Sequence, residues 1–413
     1  MPNGDPKITA PRILFLTADK HPSFRVDTVV LFTKELVGRL RYKVDWIMQS
    51  LHARTVAECI EWEGSRVWLA PADTRDGMLP RLRKRFQNYR NDLRALRLAR
   101  QGDYDIIQAR DRYFGGVIAL CAAIRAGKPF VFWLSFPEPE ASVYRAKNGM
   151  ARYPLIYWVR GKLQALLLYK VLLKFARHAI VQSEQMKRDV SECGIDPAKL
   201  TVVPMGVDLD NFLQVQGGAG SVAIEAETIA YLGTLASERR IDFLVRVLAL
   251  VVETHPNARL ILVGGGDRPG DEEMITREAD RLGVRANLIM TGRLPQQDAL
   301  KRIRNAQVCV SPFFPTPILN STSPTKLVEY MALSRPVVAN DHPEQKLVIE
   351  QSRAGLCVPY EEKAFANAIR TLLDSPDECD RMGKRGLEYV LANRSYVQIA
   401  DRLDRTYREI LEA

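Results

Sequence analysis

The sequence predicts an α/β protein built from two Rossmann-like, doubly wound domains, and three observations support this prediction. The chain has 413 residues, of which 46% are hydrophobic, and is therefore too long for a single core. Short apolar runs alternate with helical patterns in both halves, as they do in βαβ units. A glycine-rich break at 213–226 lies between the two halves and is typical of a linker.

The composition narrows the class of protein and its partners. The formal net charge of +10 predicts an anionic partner, such as a phosphorylated small molecule or an acidic membrane surface. Nucleic acid is not expected, because the sequence shows no helix-turn-helix, zinc-finger or RNP-like motif. Residues 1–12 lack an apolar signal-peptide core, which predicts a cytoplasmic location. The cysteines have neither CxxC nor zinc-ligand spacing and are expected to be reduced and buried: Cys59, Cys121, Cys193, Cys309, Cys357 and Cys379.

The first half begins with a βαβ pattern. A buried strand is predicted at 12–16, so the loop 19–27 lies near its carboxyl end, where open α/β sheets bind ligands. Arg25 and Asp27 in this loop form either part of a substrate site or an ordinary surface ion pair. The other predicted elements of this half are helices at 28–41 and 115–126 and strands at 44–48, 105–108, 130–134 and 179–181.

Residues 81–100 predict a basic amphipathic helix. Eight basic residues stand against one acidic residue, Asp92. At helical spacing, an apolar stripe lies beside a basic stripe. The apolar stripe consists of Leu82, Phe86, Tyr89, Leu93 and Leu96. This pattern favours a helix at a membrane surface, and a plain solvated helix is the alternative.

The segment 154–177 is a second candidate for membrane contact. Its longest uncharged run, 163–169, is far shorter than the roughly 20 residues that a bilayer-spanning helix needs. The segment is therefore either a core helix or an interfacial helix whose basic side chains reach toward the headgroups. The second half of this segment is expected to be a core helix, because a strand follows it at once.

The second half of the chain repeats the alternation of strands and helices. Strands are predicted at 229–232 and 260–263, and each is followed by glycine. The run Gly264–Gly266 lacks the G-x-G-x-x-G spacing of dinucleotide sites, which favours a tight turn over NAD binding.

The stretch 321–340 combines a helix start with a buried strand at 337–339. Hydroxyl side chains precede Pro324, and Lys326 lies in the first turn of the predicted helix. The free N–H groups and the positive dipole end of such a helix attract anions. Taken alone, the stretch is equally compatible with a phosphate site and with a capped core helix.

The stretch 176–212 and several later motifs resemble the family 4 (group 1) glycosyltransferases of the GT-B fold. In that family a strand ends in serine, a helix follows, and the next strand runs into the pattern P-x-G-V-D-x-x-x-F. The matching residues are Ser183, Pro204, Gly206, Val207, Asp208 and Phe212. The resemblance continues through 231–248, 260–267, 290–295, 309–313 and 390–411, and it extends to the first half in strand order only.

The resemblance implies two domains that face each other across a cleft. The acceptor domain would comprise 1–212, joined by a C-terminal helix at about 395–413. The linker at 213–226 would lead into a nucleotide-sugar-binding domain at 227–394.

The resemblance also implies the residues of a donor site. Arg239 matches the basic residue on the donor diphosphate, Glu329 matches the carboxylate on the ribose hydroxyls, and Lys326 lies beside the diphosphate. These three form the expected catalytic set, since guanidinium suits diphosphate and carboxylate suits a diol. The other expected donor-binding residues are Gly233, Thr234, Arg240, Arg293, Leu294, Ser321, Ser323, Pro324 and Thr325. The residues expected on the acceptor side are Arg25, Asp27, Ser135 and Glu138.

Four places depart from the family pattern. Ser321 stands where the first Glu of the Glu-x7-Glu motif usually contacts the donor sugar, and Thr234 stands in place of an arginine. Ser135 aligns with a histidine near the reacting sugar, and 23–25 replace a glycine-rich loop. Lys326 and Arg240 are the candidates that would restore the lost positive charge.

The expected activity is retaining transfer of a sugar from a nucleoside-diphosphate sugar, with no cofactor and no metal. The expected acceptor is a glycan or a polyprenyl-linked glycan of cell-surface polysaccharide biosynthesis. The protein would be peripheral on the inner face of the membrane through 81–100 and 154–177. A non-catalytic GT-B scaffold or binding protein is the alternative, favoured by Ser321 and Ser135. A nucleotide-sugar epimerase is a third interpretation, with Glu138, Glu140 and Glu344 as the obvious carboxylates.

Overall fold

The computed structural model describes residues 11–412 except 24, 74, 76, 217–223 and 269. The chain divides into two compact units. Unit 1 comprises Met1–Pro204 and Ile399–Ala413, and unit 2 comprises Met205–Gln398.

The division between the units lies earlier in the chain than the predicted boundary at residue 212. The helix Leu209–Gln216 belongs to unit 2, because Phe212 and Val215 pack into a core cluster of that unit. The predicted linker 213–226 lies mainly on residues outside the described part of the chain, and a strand already begins at Glu225.

Unit 1 is built on an eight-stranded sheet. Its strands are β1 Arg12–His21, β2 Lys43–Ser50, β3 Glu58–Trp62, β4 Ser65–Leu69, β5 Ile106–Arg110, β6 Phe130–Leu134, β7 His178–Val181 and β8 Leu200–Val202. The spatial order is β3-β4-β2-β1-β5-β6-β7-β8, and only the β3–β4 pair is antiparallel. Because helices cover both faces of a parallel sheet, the central strands are nearly continuous apolar runs, as their sequences predict.

Seven helices of unit 1 precede residue 204 in the described chain. They are α1 Asp27–Arg39, α2 Met78–Asp92, α3 Arg94–Gln101, α4 Tyr113–Ala126, α5 Glu138–Lys147, α6 Pro154–Leu167 and α7 Glu184–Glu192. The predicted single helix 81–100 is wrong in one respect, since helical hydrogen bonding is interrupted at Leu93 between α2 and α3. The chain remains helical beyond α6 as far as Phe175.

The core of unit 1 confirms one of the two readings of 154–177. Leu168, Leu172 and Leu173 are fully buried in the core cluster, so the second half of the segment is a core helix. The first half differs, because several of its large apolar side chains face solvent, among them Leu155 and Trp158.

Unit 2 is built on a six-stranded, entirely parallel sheet. Its strands are β9 Glu225–Leu232, β10 Arg259–Val263, β11 Leu288–Met290, β12 Ala306–Ser311, β13 Val337–Asn340 and β14 Gly355–Val358. Their order is β11-β10-β9-β12-β13-β14. The helices that follow residue 204 are α8 Leu209–Gln216, α9 Asp242–Val252, α10 Asp271–Arg281, α11 Gln296–Arg304, α12 Thr325–Ala332, α13 Pro343–Ser352, α14 Glu362–Leu373, α15 Pro376–Asn393 and α16 Tyr396–Glu412, and most of α16 lies in unit 1. The two parallel-sheet units confirm the predicted fold class.

The helix α16 carries the chain back into unit 1. Tyr407 donates a hydrogen bond to the Gln108 side chain on β5 at 2.7 Å, and both groups are buried. Asp404 accepts a hydrogen bond from Tyr42 at 2.8 Å. These contacts hold α16 against the sheet of unit 1.

Two further expectations concern the surface. All six cysteines are free, but only Cys309 and Cys379 are buried, so the expectation of burial is wrong for the exposed Cys59, Cys121 and Cys193. Within the described ranges, no helix has both the length and the apolar character needed to cross a bilayer.

Candidate functional site

The carboxyl ends of β9 and β10 come unusually close together in unit 2. The strands are parallel neighbours, and each is followed by a glycine, Gly233 and Gly264. A Cβ atom added to Gly264 would lie 2.8 Å from the carbonyl carbon of Gly233, and Gly264 has a φ of 141°. Only glycine fits this approach. The glycine run therefore serves a tight strand-to-helix turn, as the sequence predicted.

A concavity of about 290 Å³ opens at these strand ends. Four of the predicted donor-binding residues line it, namely Gly233, Thr234, Arg293 and Leu294. The Arg293 guanidinium donates to the Asp267 carboxylate at 2.8 Å and to the carbonyl of Gly266 at 3.2 Å. The structure thus brings together residues that lie 60 positions apart in the sequence.

Lys326 reaches this place from the first turn of α12. A Cβ atom on Gly233 would lie 2.6 Å from the Lys326 Nζ, so the lysine occupies the space that a side chain would need. The Nζ also lies 5.1 Å from the centre of the Tyr231 ring. Burial and the nearby Arg239 lower the pKa of Lys326 to about 7, although Glu329 acts in the opposite direction.

Glu329 and Arg239 complete the cluster around Lys326. Burial raises the pKa of Glu329, and the positive charge of Lys326 opposes that shift. Arg239 is exposed at the end of the short turn Ser237–Arg239. Among the described residues, neither Arg239 nor Lys326 forms an ion pair with a carboxylate. The charges of Arg239 and Glu329 therefore both act on Lys326, and the three groups together carry an excess of positive charge.

The start of α12 is held firmly by its neighbours. Pro324 precedes Thr325, the first helical residue, and no side chain caps the helix. The Ser323 hydroxyl accepts a hydrogen bond from the Met205 N–H at 3.1 Å, and Ser321 is buried. One turn later, the Tyr330 hydroxyl accepts the Leu232 N–H at 2.8 Å, which fixes the helix to the end of β9.

Arg240 has contacts of its own. It adopts a left-handed conformation with a φ of 54°, and its guanidinium lies 3.5 Å from the Asp242 carboxylate. The same group lies over the Phe314 ring at 5.6 Å from the ring centre. The two adjacent arginines therefore differ, since Arg240 has a carboxylate partner and Arg239 has none among the described residues.

A buried charged network lies at the carboxyl end of the unit 1 sheet. The Arg110 side chain is completely buried and donates to Asp27 at 3.1 Å and to Asp19. Arg25 donates to both carboxylate oxygens of Asp27, at 3.1 and 3.0 Å, and to the Ser135 hydroxyl at 3.4 Å. Burial favours the neutral form of Asp27, but Arg110 and Arg25 outweigh it, and the pKa of Asp27 is lowered.

Asp111 joins this network from the residue after β5. Its φ of 53° is left-handed, a conformation that is uncommon outside glycine. Its carboxylate accepts the Ser135 N–H at 2.9 Å and also the Ser135 hydroxyl. Burial raises the pKa of Asp111, and the hydrogen bonds from Ser135 oppose that shift.

The structure unites three of the four predicted acceptor-side residues. Arg25, Asp27 and Ser135 lie in one network, whereas Glu138 faces Arg145 at 3.2 Å and Arg160 at 3.7 Å. Sequence reasoning missed the other members of the network, which are Asp19, Arg110 and Asp111. Their position at the carboxyl ends of β1 and β5 is the signal that would have identified them.

The other carboxylates considered for an epimerase also have partners. Glu140 accepts a hydrogen bond from Tyr169 at 2.7 Å. Glu344 forms a buried ion pair with Arg394 at 2.6 Å. These contacts are typical of structural ion pairs and hydrogen bonds.

Two family profiles match the chain, one in each half. The profile described as Glycosyltransferase Family 4 matches residues 29–211, and the profile described as Glycosyl transferases group 1 matches residues 226–375. The chain is 27% identical to a D-inositol 3-phosphate glycosyltransferase of Segniliparus rotundus, over 52% of this chain and 48% of the relative. It is 23% identical to an alpha-maltose-1-phosphate synthase of Mycolicibacterium smegmatis, over 72% of this chain and 77% of the relative. The chain thus spans about half the length of the first relative and more of the second.

Solved structures show the same fold. Sucrose-phosphate synthase from Thermosynechococcus elongatus aligns with a TM-score of 0.71 at 18% identity, covering 97% of this chain and 99% of that one. HepE from Anabaena in complex with UDP-glucose aligns with a TM-score of 0.65 at 18% identity, covering 96% and 99%. From the two profiles and the shared fold, the chain belongs to the family 4, group 1 glycosyltransferases of the GT-B fold.

Proposed function

We propose that this protein transfers a sugar, with retention of anomeric configuration, from a nucleoside-diphosphate sugar to a hydroxyl acceptor. The observation that carries the proposal is the pair of cations at the glycine-lined strand ends of unit 2. Lys326 lies in the uncapped first turn of α12, the charge of Arg239 acts on it, and among the described residues neither cation forms an ion pair with a carboxylate. Such an arrangement suits a diphosphate.

In the proposed reaction, the bond between the sugar C1 and the diphosphate oxygen breaks, and the electron pair leaves with the diphosphate. The acceptor oxygen bonds to C1, and its proton passes to an oxygen of the departing diphosphate. Negative charge grows on the departing diphosphate, and fixed positive groups that are already in place stabilise it most effectively. Lys326, Arg239 and the N–H groups of α12 are the residues that would do so. The proposal needs no metal, because these groups supply the positive charge.

The donor's nucleoside would lie in the concavity lined by Arg293 and Leu294, with its ribose hydroxyls on Glu329. The Anabaena relative that shares the fold binds UDP-glucose, which supports a nucleotide sugar as the donor class. On the acceptor side, Arg25, Asp27 and Ser135 offer both donors and acceptors of hydrogen bonds, as a sugar hydroxyl requires.

We also propose that the protein lies on an anionic membrane surface and uses a lipid-linked glycan of cell-surface polysaccharide biosynthesis. Two helices of unit 1 expose large apolar side chains to solvent. On α2, Leu79 is 79% and Phe86 is 64% exposed, and on α6, Leu155 is 73% and Ile156 is 62% exposed. Exposed apolar side chains beside many basic residues are typical of interfacial helices.

Arg239→Ala tests the proposal directly. We expect the rate of transfer, or of donor hydrolysis, to fall by roughly two to three orders of magnitude with the melting temperature unchanged. Arg277→Ala is the matched control, because Arg277 is an exposed arginine of unit 2 that pairs with Glu273 on the surface of α10. An unchanged rate for Arg239→Ala would remove this residue from the mechanism.

A panel of UDP-, GDP- and ADP-sugars separates the transferase from a non-catalytic scaffold. The proposal predicts that at least one donor raises the melting temperature and is slowly hydrolysed in the absence of acceptor. NMR of the product should show that the transferred sugar has the same anomeric configuration as in the donor. A protein that binds and hydrolyses none of these donors would favour the scaffold.

A further inference from the structure

Two adjoining hollows in unit 1 form a groove along one side of α2. The larger has a volume of about 730 Å³ and the smaller about 300 Å³, and they share Thr55, Val56, Pro71 and Gln87 among their walls. Residues 53–58, 71–73 and 75 form one wall of the groove, and α2 with the start of α3 forms the other. From Arg83 to Arg94 the groove is about 16 Å long at 1.5 Å per residue.

The helical wall of this groove is strongly basic. Arg83, Lys84, Arg90 and Arg94 line it, and within the described ranges none of the four forms an ion pair. Four neighbouring cations without carboxylate partners repel one another, so this wall favours a bound anion.

The opposite wall does not neutralise these charges. Its charged side chains are already joined in pairs, Arg54 with Glu58 and Arg75 with Asp73. The Asp73 carboxylate accepts two hydrogen bonds from the Arg75 guanidinium, at 3.0 and 2.7 Å, and these hold its pKa down to about 2. The groove therefore keeps an excess of positive charge.

A buried amide adds a second polar feature to the groove. Asn91 lines the smaller hollow and is only 4% exposed, and its Nδ2 donates to the carbonyls of Met48 and Trp68. Its Oδ1 is buried without a hydrogen-bond partner among the described residues. The two hydrogen bonds of Nδ2 tie the end of α2 to β2 and β4 and hold the basic wall of the groove in place.

The apolar face of α2 adjoins the groove. Leu79, Leu82, Phe86 and Tyr89 are all exposed. At 3.6 residues per turn, the centre of this face lies about 120° around the helix from the centre of the groove-lining residues. A lipid whose phosphate lay in the groove would therefore have its hydrocarbon chains next to exposed apolar side chains.

We propose that this groove is a binding site for the phosphate groups of glycerophospholipid headgroups at a membrane surface. Arg83, Lys84, Arg90 and Arg94 bind the phosphates, and the apolar face of α2 enters the hydrocarbon boundary. The proposal deepens the membrane part of the proposed function, since it names a lipid chemistry and its residues. It involves no step of sugar transfer.

The test measures binding of the full-length protein to sedimented vesicles of phosphatidylcholine with and without phosphatidylglycerol. The double variant Arg83→Gln/Arg90→Gln removes two groove cations. The control Arg85→Gln/Arg97→Gln removes two exposed cations from the same helical stretch that line neither hollow. We expect the groove variant to lose about 30-fold in affinity for phosphatidylglycerol vesicles and the control to lose clearly less.

Equal losses in the two variants would mean that diffuse charge alone attracts the protein, and would overturn the proposed site. So would vesicle binding that both variants retain in full. Binding of inorganic pyrophosphate, measured by ³¹P NMR, tests whether the groove takes a soluble phosphate instead. Groove-dependent binding of pyrophosphate without binding of vesicles would assign the groove to a soluble phosphate and overturn the lipid assignment.

Nucleotide-sugar binding, measured in parallel by thermal shift, keeps the two proposals apart. If the wild-type protein binds a donor but no vesicles, the groove and the membrane part of the proposed function are both contradicted, and the transferase is not. Loss of donor binding with vesicle binding intact would contradict only the transferase.

Discussion

The two charged clusters at the carboxyl ends of the two sheets are built on opposite principles. In unit 1, Arg110 and Arg25 are surrounded by the carboxylates of Asp19, Asp27 and Asp111. In unit 2, Lys326 is close to Arg239 and to one carboxylate, that of Glu329, and among the described residues neither cation forms an ion pair.

The charges of the unit 1 cluster compensate one another, whereas the unit 2 cluster carries an excess of positive charge. A compensated network is already at a low electrostatic energy and holds its side chains in place, which suits the recognition of neutral hydroxyl groups. An uncompensated pair of cations is held at a cost that a bound diphosphate removes. The predictions below test this contrast, from the largest expected effect to the smallest.

Replacement of Arg110 should damage the fold more than any other change in the two clusters. Arg110→Met leaves Asp19 and Asp27 buried without their main partner, which typically costs about 3–5 kcal/mol of unfolding free energy. Denaturant unfolding would measure it. Arg25→Met is the comparison, because the Arg25 side chain is 40% exposed and its loss should cost much less. Equal stability of the two variants would contradict the role given to burial.

Replacement of Lys326 should have the opposite effect, with little change in stability and a large loss of activity. Lys326→Gln removes a crowded cation that no carboxylate pairs with, so the unfolding free energy should stay constant or rise slightly. Turnover of the nucleotide sugar should fall by roughly 10²–10³. Lys301→Gln, at an exposed position on α11, controls for loss of one positive charge from unit 2. Full activity of Lys326→Gln would show that the cluster does not hold the diphosphate.

The lowered pKa of Lys326 predicts a pH dependence of donor affinity. With a pKa of about 7 in the free protein, Lys326 loses its proton as the pH rises, whereas the donor diphosphate binds the protonated form. The affinity should fall from about pH 7 to about pH 8.5, approaching tenfold per pH unit. Arg239, Glu329 and Tyr231 are the charged and titratable groups that face this amine.

Isothermal titration of the donor at several pH values would check this dependence. Lys326→Arg keeps its charge throughout the range and should give a flat profile. The stability of the unliganded protein should change with pH in the opposite direction to the donor affinity. Because the unfolded lysine, with its usual pKa near 10.5, holds its proton longer than the folded one, unfolding free energy should rise with pH above about 7. A donor affinity independent of pH would contradict the lowered pKa.

The smallest expected effect comes from Gly233. In Gly233→Ala the new Cβ lies 2.6 Å from the Lys326 Nζ, so the lysine must move. Because the end of this side chain is flexible, we expect a loss of donor affinity of only about tenfold. Gly283→Ala is the matched control, since Gly283 also has a positive φ but open space around its Cβ position. Gly283→Ala should lower stability by about 1 kcal/mol and leave donor affinity unchanged.

Much of the fold follows from the sequence because parallel sheets leave a clear pattern. The apolar runs at 229–232, 260–263 and 337–339 lie within β9, β10 and β13. The start of α12, predicted to be either an anion site or a capped core helix, carries Lys326 in its first turn beside Gly233. Local pattern and tertiary position agree in these segments.

The parts that could not be predicted depend on which distant residues meet. Arg110 ends a predicted strand, but its complete burial depends on Asp19 and Asp27, which no local pattern places beside it. The left-handed φ of Asp111 is likewise a product of the network that holds it. Glu138 follows the same strand end as Ser135, but it pairs with its own helix and with Arg160 on α6. Whether a charged side chain is buried depends on its tertiary contacts, and the local sequence pattern does not reveal these contacts.

The return of α16 to unit 1 has a consequence for biosynthesis. The ribosome delivers residues 205–398 before the residues of α16 that supply Tyr407 to Gln108 and Asp404 to Tyr42. During translation, the core of unit 1 therefore lacks part of its packing until the whole of unit 2 has been made. Until then, the apolar side chains of unit 1 that pack against Ile399, Leu403 and Ile410 are uncovered, a state that favours aggregation.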